Sequence, residues 1–137
     1  MSYLIATNVV SEVARSRPSP RVMGWLRSVP DAALHMSVLS LGEIRKGVES
    51  LTDGPRKERL RVWLEQEVPG WFEDRLLAVD AHVADRWGRL MAGVRSPAPA
   101  IDGLLAATAL HHGLRIVTRN VADFRRFVGL EVIDPWA

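Results

Sequence analysis

Short apolar runs alternate with helical patterns from one end of the chain to the other, and this alternation restricts the possible folds more than any other feature of the sequence. Five runs read as strands: Tyr3 to Ile5, Leu34 to Met36, Leu76 to Val79, Arg115 to Thr118 and Leu130 to Ile133. A short helix is expected over Val9 to Ala14. Ser19 and Pro20 supply an N-cap and a first-turn proline for a second, through Val22, Met23, Trp25 and Leu26, closed before Pro30. Ser37 or Ser40 caps a third, whose apolar positions Leu41, Ile44, Val48 and Leu51 recur at helical spacing until Asp53-Gly54 turns the chain. Pro55 starts the next, with Leu60, Trp63 and Leu64, and Asp80 caps another that carries Val83, Trp87, Leu90 and Met91 on one face. Ser96-Pro97-Ala98-Pro99 is a loop, and the last long helix, Asp102 to His112, stops at Gly113.

A strand, a helix and a parallel strand close right-handedly with helices over the sheet, so the fold class is α/β: a mostly parallel sheet of about five short strands flanked by helices. In such sheets ligands bind beyond the carboxyl ends of the strands. Ala6, Thr118, Asn120 and Asp123 fall at that edge. Glu43 and Asp102 lie in early turns of helices that start there.

A chain of 137 residues is one ordinary domain, residues 1–137, able to bury roughly two-thirds of its unfolded surface. The 18 basic residues against 16 acidic ones leave a net charge of +2, which selects no class of partner, although nearly all the cations are arginine, suited to phosphate and carboxylate. The absence of cysteine excludes disulfides, thiolate zinc sites and thiol nucleophiles and fits a reducing compartment. Met1-Ser2-Tyr3 runs straight into the first strand with no signal-peptide pattern, and no apolar run approaches the ~20 residues of a membrane span, so a cytoplasmic location without membrane contact is expected. No phosphate-binding P-loop, nucleophile elbow or dinucleotide fingerprint occurs, which removes nucleotide kinases and serine hydrolases.

Carboxylates that converge on one cleft repel one another unless a cation sits between them, and Mg²⁺ or Mn²⁺ prefers such oxygen ligands. A metal held this way generates hydroxide from water and offsets charge on a phosphate being displaced, which is phosphodiester hydrolysis. Each acid also has a structural role open to it. Glu43 matches a capping box with Ser40, Asp102 suits the start of a helix, and Asp123, just before Phe124, could cap the short helix that follows. Asn8 serves either a turn or the site. Thr7 and Thr118 could hold the acids or a water, Arg119 a phosphate, and Asn120 shares the Asp123 region. His111 and His112 leave their helix about 100° apart, cannot form a paired ligand face, and read as helix-end residues. The tryptophans read as core or interface.

The segments Leu4 to Glu12, Leu39 to Gly47, Asp102 to Ala109, Val117 through Phe124, and Asp134-Pro135-Trp136 resemble, in order and over nearly the whole chain, the PIN-domain ribonuclease toxins called VapC. The resemblance implies a PIN-like fold and the toxin of a type II toxin-antitoxin pair: a Mg²⁺- or Mn²⁺-dependent endoribonuclease that arrests translation by cutting structured RNA, transfer or ribosomal. It also implies a homodimer, silencing by a VapB-type antitoxin, and contact with operator DNA only through that antitoxin. Carried over by position, Glu43 and Asp102 match the second and third family acids, and Asn120 or Asp123 the fourth. Ala6 stands where the family has its first metal-ligand Asp, so the catalytic and metal set Ala6, Glu43, Asp102 and Asp123 lacks one carboxylate. The chain is then an inactive natural member or an engineered knockout. The alternative from another class is an α/β phospho-acceptor signalling domain, with Asp80 as acceptor and Thr118 beside it, although the acid pair and lysine such a domain needs are missing.

Overall fold

Residues 1–137 are all described by a computed structural model. The chain runs β1 (Tyr3–Ile5), α1 (Thr7–Val13), α2 (Pro20–Arg27), β2 (Leu34–Ser37), α3 (Val38–Glu49), α4 (Pro55–Val62), α5 (Val68–Phe72), β3 (Leu76–Leu77), α6 (Ala81–Ala92), α7 (Ala100–His112), β4 (Arg115–Val117), α8 (Val121–Arg125) and β5 (Val132–Ile133). The five strands form one sheet in the order β3-β2-β1-β4-β5, and every neighbouring pair is parallel. The expected α/β class and parallel sheet are what the chain adopts.

The central strand explains the layering. Tyr3, Leu4 and Ile5 are all buried, as a strand covered on both faces must be. Side chains alternate across the sheet, so Tyr3 and Ile5 join a cluster with Val9, Val10, Val22, Ile44, Val48 and Phe72, beneath α1, α2, α3 and α5. Leu4 points the other way, into Leu105, Ala106, Ala109, Ile116, Phe124 and Phe127 beneath α7 and α8. Each fully buried Val, Leu, Ile or Phe contributes about 1.5–3 kcal/mol. Burial of this kind on both faces fixes β1 in the middle of the sheet and sets its carboxyl end, at Ala6, at the middle of the functional edge.

Several boundaries differ from those expected. β3 ends at Leu77 rather than Val79, and β5 starts at Val132 rather than Leu130, because each is an edge strand paired on one side over only two residues. β2 gains Ser37, and β4 stops before Thr118. α1 starts at Thr7, two residues earlier than the apolar pattern indicates, since the Ala6 carbonyl already accepts from Val9 and Val10 at 3.0 and 3.2 Å. The helix from Pro55 widens into a π turn over Trp63–Glu67 before α5, just ahead of Pro69, which has no N–H to give to a regular helical bond. α7 starts at Ala100, not Asp102, and ends as expected at Gly113, whose φ of 66° is left-handed. No helix is long and apolar enough to cross a membrane.

Candidate active site

Four chain segments meet at the carboxyl edge of the sheet: the start of α1, the early turns of α3 and α7, and the β4–α8 connection. Ala6 is the N-cap position of α1, extended and 4% exposed, and its N–H donates to the Val117 carbonyl at 2.9 Å. The adjacent strands β1 and β4 are thereby joined at their tips. Its methyl group offers α1 no side-chain cap.

Thr7 and Asn8, on the first turn of α1, point to opposite flanks. The Thr7 hydroxyl reaches Glu43 Oε1 at 2.6 Å and the buried Ser40 Oγ at 3.0 Å, tying α1 to α3. Asn8 spans to β4: its Nδ2 donates to Thr118 Oγ1 at 3.4 Å and its Oδ1 accepts from the Arg119 N–H at 3.3 Å. The fully buried Thr118 also accepts from the Asn120 N–H at 3.1 Å. Asn8 therefore serves neither an isolated turn nor a ligand role; it fixes the loop that leads to Asp123. Arg119 turns outward and stacks over Trp136, 5.0 Å from the ring centroid, so no guanidinium of Arg119 is aimed at the acids.

The capping-box role for Glu43 is excluded. Ser37, not Ser40, caps α3 by accepting from the Leu39 N–H at 3.1 Å, which leaves Glu43 in the second turn with its carboxylate on Thr7. Asp123 does not cap α8 either. It is the third residue of that helix, Asn120 occupies the N-cap position without a side-chain bond, and the Asp123 side chain meets Arg126 Nη2 at 3.4 Å. Asp102 is the third residue of α7, half-buried, and its carboxyl is held above the usual carboxylate range first by burial, then by the charge of Asp123, with Glu43 adding to the effect and Arg126 opposing it. That pattern brings Glu43, Asp102 and Asp123 into one field. The charge of Asp123 is the strongest acidic influence on Asp102.

Arg126 is the residue the sequence pattern did not bring out. Its guanidinium donates to the Asp123 and Pro97 carbonyls at 2.8 and 2.9 Å and supplies a cation beside the acids. Its spacing of three from Asp123 on a short helix was the available signal. As the chain stands, no three His, Asp or Glu side chains form a set that could hold one metal ion. Ala6 offers no oxygen, Thr7 engages Glu43 and Arg126 engages Asp123, so the residues present do not complete a divalent-cation centre.

The phospho-acceptor alternative fails on position. Asp80 caps α6, accepting from the Val83 N–H at 2.9 Å, and its carboxylate is held low by that bond and by His82 and His111. His111 lies in the last turn of α7 and Asp102 in its first, so Asp80 lies at the far end of α7 from Asp102. β2 and β1 also separate β3 from β4, and Asp80 from Thr118 with them. His111 and His112 are helix-end residues as expected; His111 also stacks on His82. Trp25, Trp63, Trp71 and Trp136 pack against the larger core cluster.

A model of the PIN domain matches residues 3–130. The toxin FitB of Neisseria gonorrhoeae is 34% identical over 136 residues, covering 97% of both chains. The VapC ribonuclease Y4jK of Sinorhizobium fredii is 31% identical over 136 residues, covering 97% of this chain and 96% of its own. A solved structure of FitAB bound to an IR36 DNA fragment superposes with a TM-score of 0.89 at 32% identity, covering 98% of this chain and 96% of the other. With this family match, these relatives and a matching fold, the chain belongs to the PIN-domain family, in the group of the VapC and FitB toxins.

Proposed function

We propose that this protein is the toxin of a toxin-antitoxin pair, built as a divalent-cation-dependent endoribonuclease and left incomplete at Ala6. The observation that carries the reading is that Glu43, Asp102 and Asp123 stand in segments at the sheet edge where Ala6 ends β1, near enough that Asp123 and Glu43 add to burial in raising the Asp102 carboxyl. Three like charges on one edge are costly unless a cation offsets them, and the missing oxygen lies at the centre of the edge. Mg²⁺ or Mn²⁺ is the cation suited to that oxygen set. Thr7 orients Glu43, Asn8 and Thr118 hold the loop before Asp123, and Arg126 limits the repulsion in the absence of a metal.

The chain's similarity to a toxin and to a VapC ribonuclease supports RNA as substrate, with transfer or ribosomal RNA the proposed targets. The FitAB assembly on DNA supports a VapB-type antitoxin as partner, with operator DNA reached only through it. The protein is further proposed to act as a homodimer of one domain, residues 1–137, in the cytoplasm.

The test compares this chain with Ala6→Asp for cleavage of total RNA in Mg²⁺ and in EDTA, and for growth arrest on induction. Cleavage and arrest are expected from the substituted protein alone, in Mg²⁺ alone. Equal activity in the two proteins would sink the reading. In the substituted background, Glu43→Gln or Asp102→Asn should abolish most activity with little change in folding; unchanged rates would return both residues to structural roles.

A further inference from the structure

Taking the ribonuclease reading above as its basis, we infer that Arg56 and Arg59 of α4, with Trp63 beyond them, form a track for the phosphates and a base of a single-stranded RNA segment leading away from the acids. A cleft of about 590 Å³ opens at Thr7 and Glu43 and runs between α1, α3 and α4, and these three side chains line its wall. The cations of α4 and its neighbours divide into two sets. Those on the outer side are neutralised: Lys57 by Asp53 at 3.2 Å, Arg61 by Glu58 and by Glu65 at 2.9 Å, and Arg45 by Glu65 and Glu49 at 3.0 and 3.2 Å. Arg56 and Arg59 are exposed, three residues apart on one helical face, and make no ion pair with any carboxylate. Across the cleft Arg15 is already engaged by the buried Glu12 at 3.3 Å.

Two uncompensated guanidiniums in a concave wall suit a repeating polyanion whose successive phosphates meet the arginine forks, the acids taking a further phosphate only where a cation offsets their charge. An aromatic ring four residues beyond Arg59 on the same wall adds a sequence-tolerant stacking surface, the usual companion of a basic groove in single-strand binding. An acidic peptide would use the arginines but not this combination. RNA is therefore the occupant assigned.

Because this chain lacks the oxygen at position 6, it can be tested as a binder without cleavage. A fluorescein-labelled single-stranded RNA oligonucleotide of mixed sequence is titrated in EDTA from about 25 to 200 mM salt against this chain, Arg56→Gln/Arg59→Gln, and the control Arg21→Gln/Arg86→Gln, which removes the same charge from exposed sites outside the cleft. The salt slope scales as about −0.7 per phosphate neutralised on a single strand, so the cleft variant should lower the slope by about 1.4 and weaken binding at least tenfold, the control far less. Circular dichroism confirms that both variants fold. Equal slopes for the two variants, or no measurable binding by this chain at the lowest salt, would overturn the track. So would loss of binding to an antitoxin C-terminal peptide with RNA binding intact, which would give the cleft to a protein partner. RNA cleavage by Ala6→Asp alongside an unchanged salt slope sinks the track and leaves the ribonuclease reading standing; a track without such cleavage does the reverse.

Discussion

Thr7 does two jobs with one hydroxyl: it closes α1 onto α3 and it points Glu43 at the edge where Ala6 ends β1. A hydrogen bond of 2.6 Å to a carboxylate is of the charge-assisted kind, worth about 1.5–3 kcal/mol when dry and less here, because Glu43 is half-exposed and water can replace the donor. Thr7→Val in the Ala6→Asp background should therefore lower the cleavage rate roughly tenfold or more while costing about 1 kcal/mol of stability, and Thr7→Ser should restore the rate. Unfolding curves and single-turnover cleavage measure the two effects. Full rate in the valine variant with loss in the serine variant would show that the methyl group's packing, not the hydroxyl, matters. At this scale the sequence was legible where chemistry and position coincide: the placement of Glu43, Asp102 and Asp123 near the carboxyl edge follows from residue type at strand ends and helix starts. What it hid was partnership. Nothing local reveals that Asn8 bonds to Thr118 110 residues away, that Arg119 leaves the site for Trp136, or that Arg126 enters it.

Among the elements, the packing of α6 on α7 sets the position of Asp102. Gly103 follows that acid and is buried, and a Cβ built on it would lie 2.6 Å from Met91 Sδ and 2.9 Å from Trp87 Nε1, both on α6. Met91 can move, but the tryptophan ring is rigid, so Gly103→Ala should destabilise the protein by about 1–3 kcal/mol and reduce cleavage in the Ala6→Asp background by shifting the start of α7. A melt that is unchanged, or raised by the better helix propensity of alanine, would contradict this close approach. At the other end of the same helix pair, the chain's four histidines interact: His82 and His111 stack 5.5 Å apart, His111 and His112 meet edge to face at 4.8 Å, and His35 is within electrostatic reach. Burial, and then the charge of His111, hold His112 below the ordinary imidazole range, with Asp80 opposing and His35 adding. A base with a lowered folded-state pKa is fully tolerated above its unfolded value near 6.5 and erodes stability as pH falls from there through the folded value. The melting temperature should drop modestly between about pH 7 and 5, and His112→Gln should flatten that drop; parallel profiles would remove His112 as its source. Element type was legible almost throughout because apolar spacing survives in sequence. The two-residue edge strands and the π turn were not, since pairing on one side and the missing N–H of Pro69 act through neighbours that no window of sequence contains.

For the molecule as a whole, the proposed cation site links folding to cation binding through the residue at position 6. Position 6 is 4% exposed, between the tips of β1 and β4 and at the N-cap of α1. A carboxylate there has one local gain: its oxygen can accept from a first-turn N–H that Ala6 leaves uncapped, about 0.5–2 kcal/mol in ordinary surroundings. It also has a long-range cost, because it enters the field of Glu43, Asp102 and Asp123, where Asp102 already resists ionisation. Without a cation the two effects oppose each other, so Ala6→Asp in EDTA should melt at or below the temperature of this chain. With Mg²⁺ at about 100 times its dissociation constant, binding to the folded state alone contributes about 2.7 kcal/mol, enough to raise the melting temperature of a domain this size by roughly 5–15 °C. This chain, whose acids do not assemble a set for one ion, should not respond to Mg²⁺ beyond the small effect of added salt. Differential scanning fluorimetry of both proteins across a Mg²⁺ series, with Na⁺ at matched ionic strength as control, reads the difference directly. The same Mg²⁺-dependent rise in both proteins would show that three acids suffice for the ion and that Ala6 disables something other than its binding; a rise in neither would separate the acidic edge from divalent cations altogether.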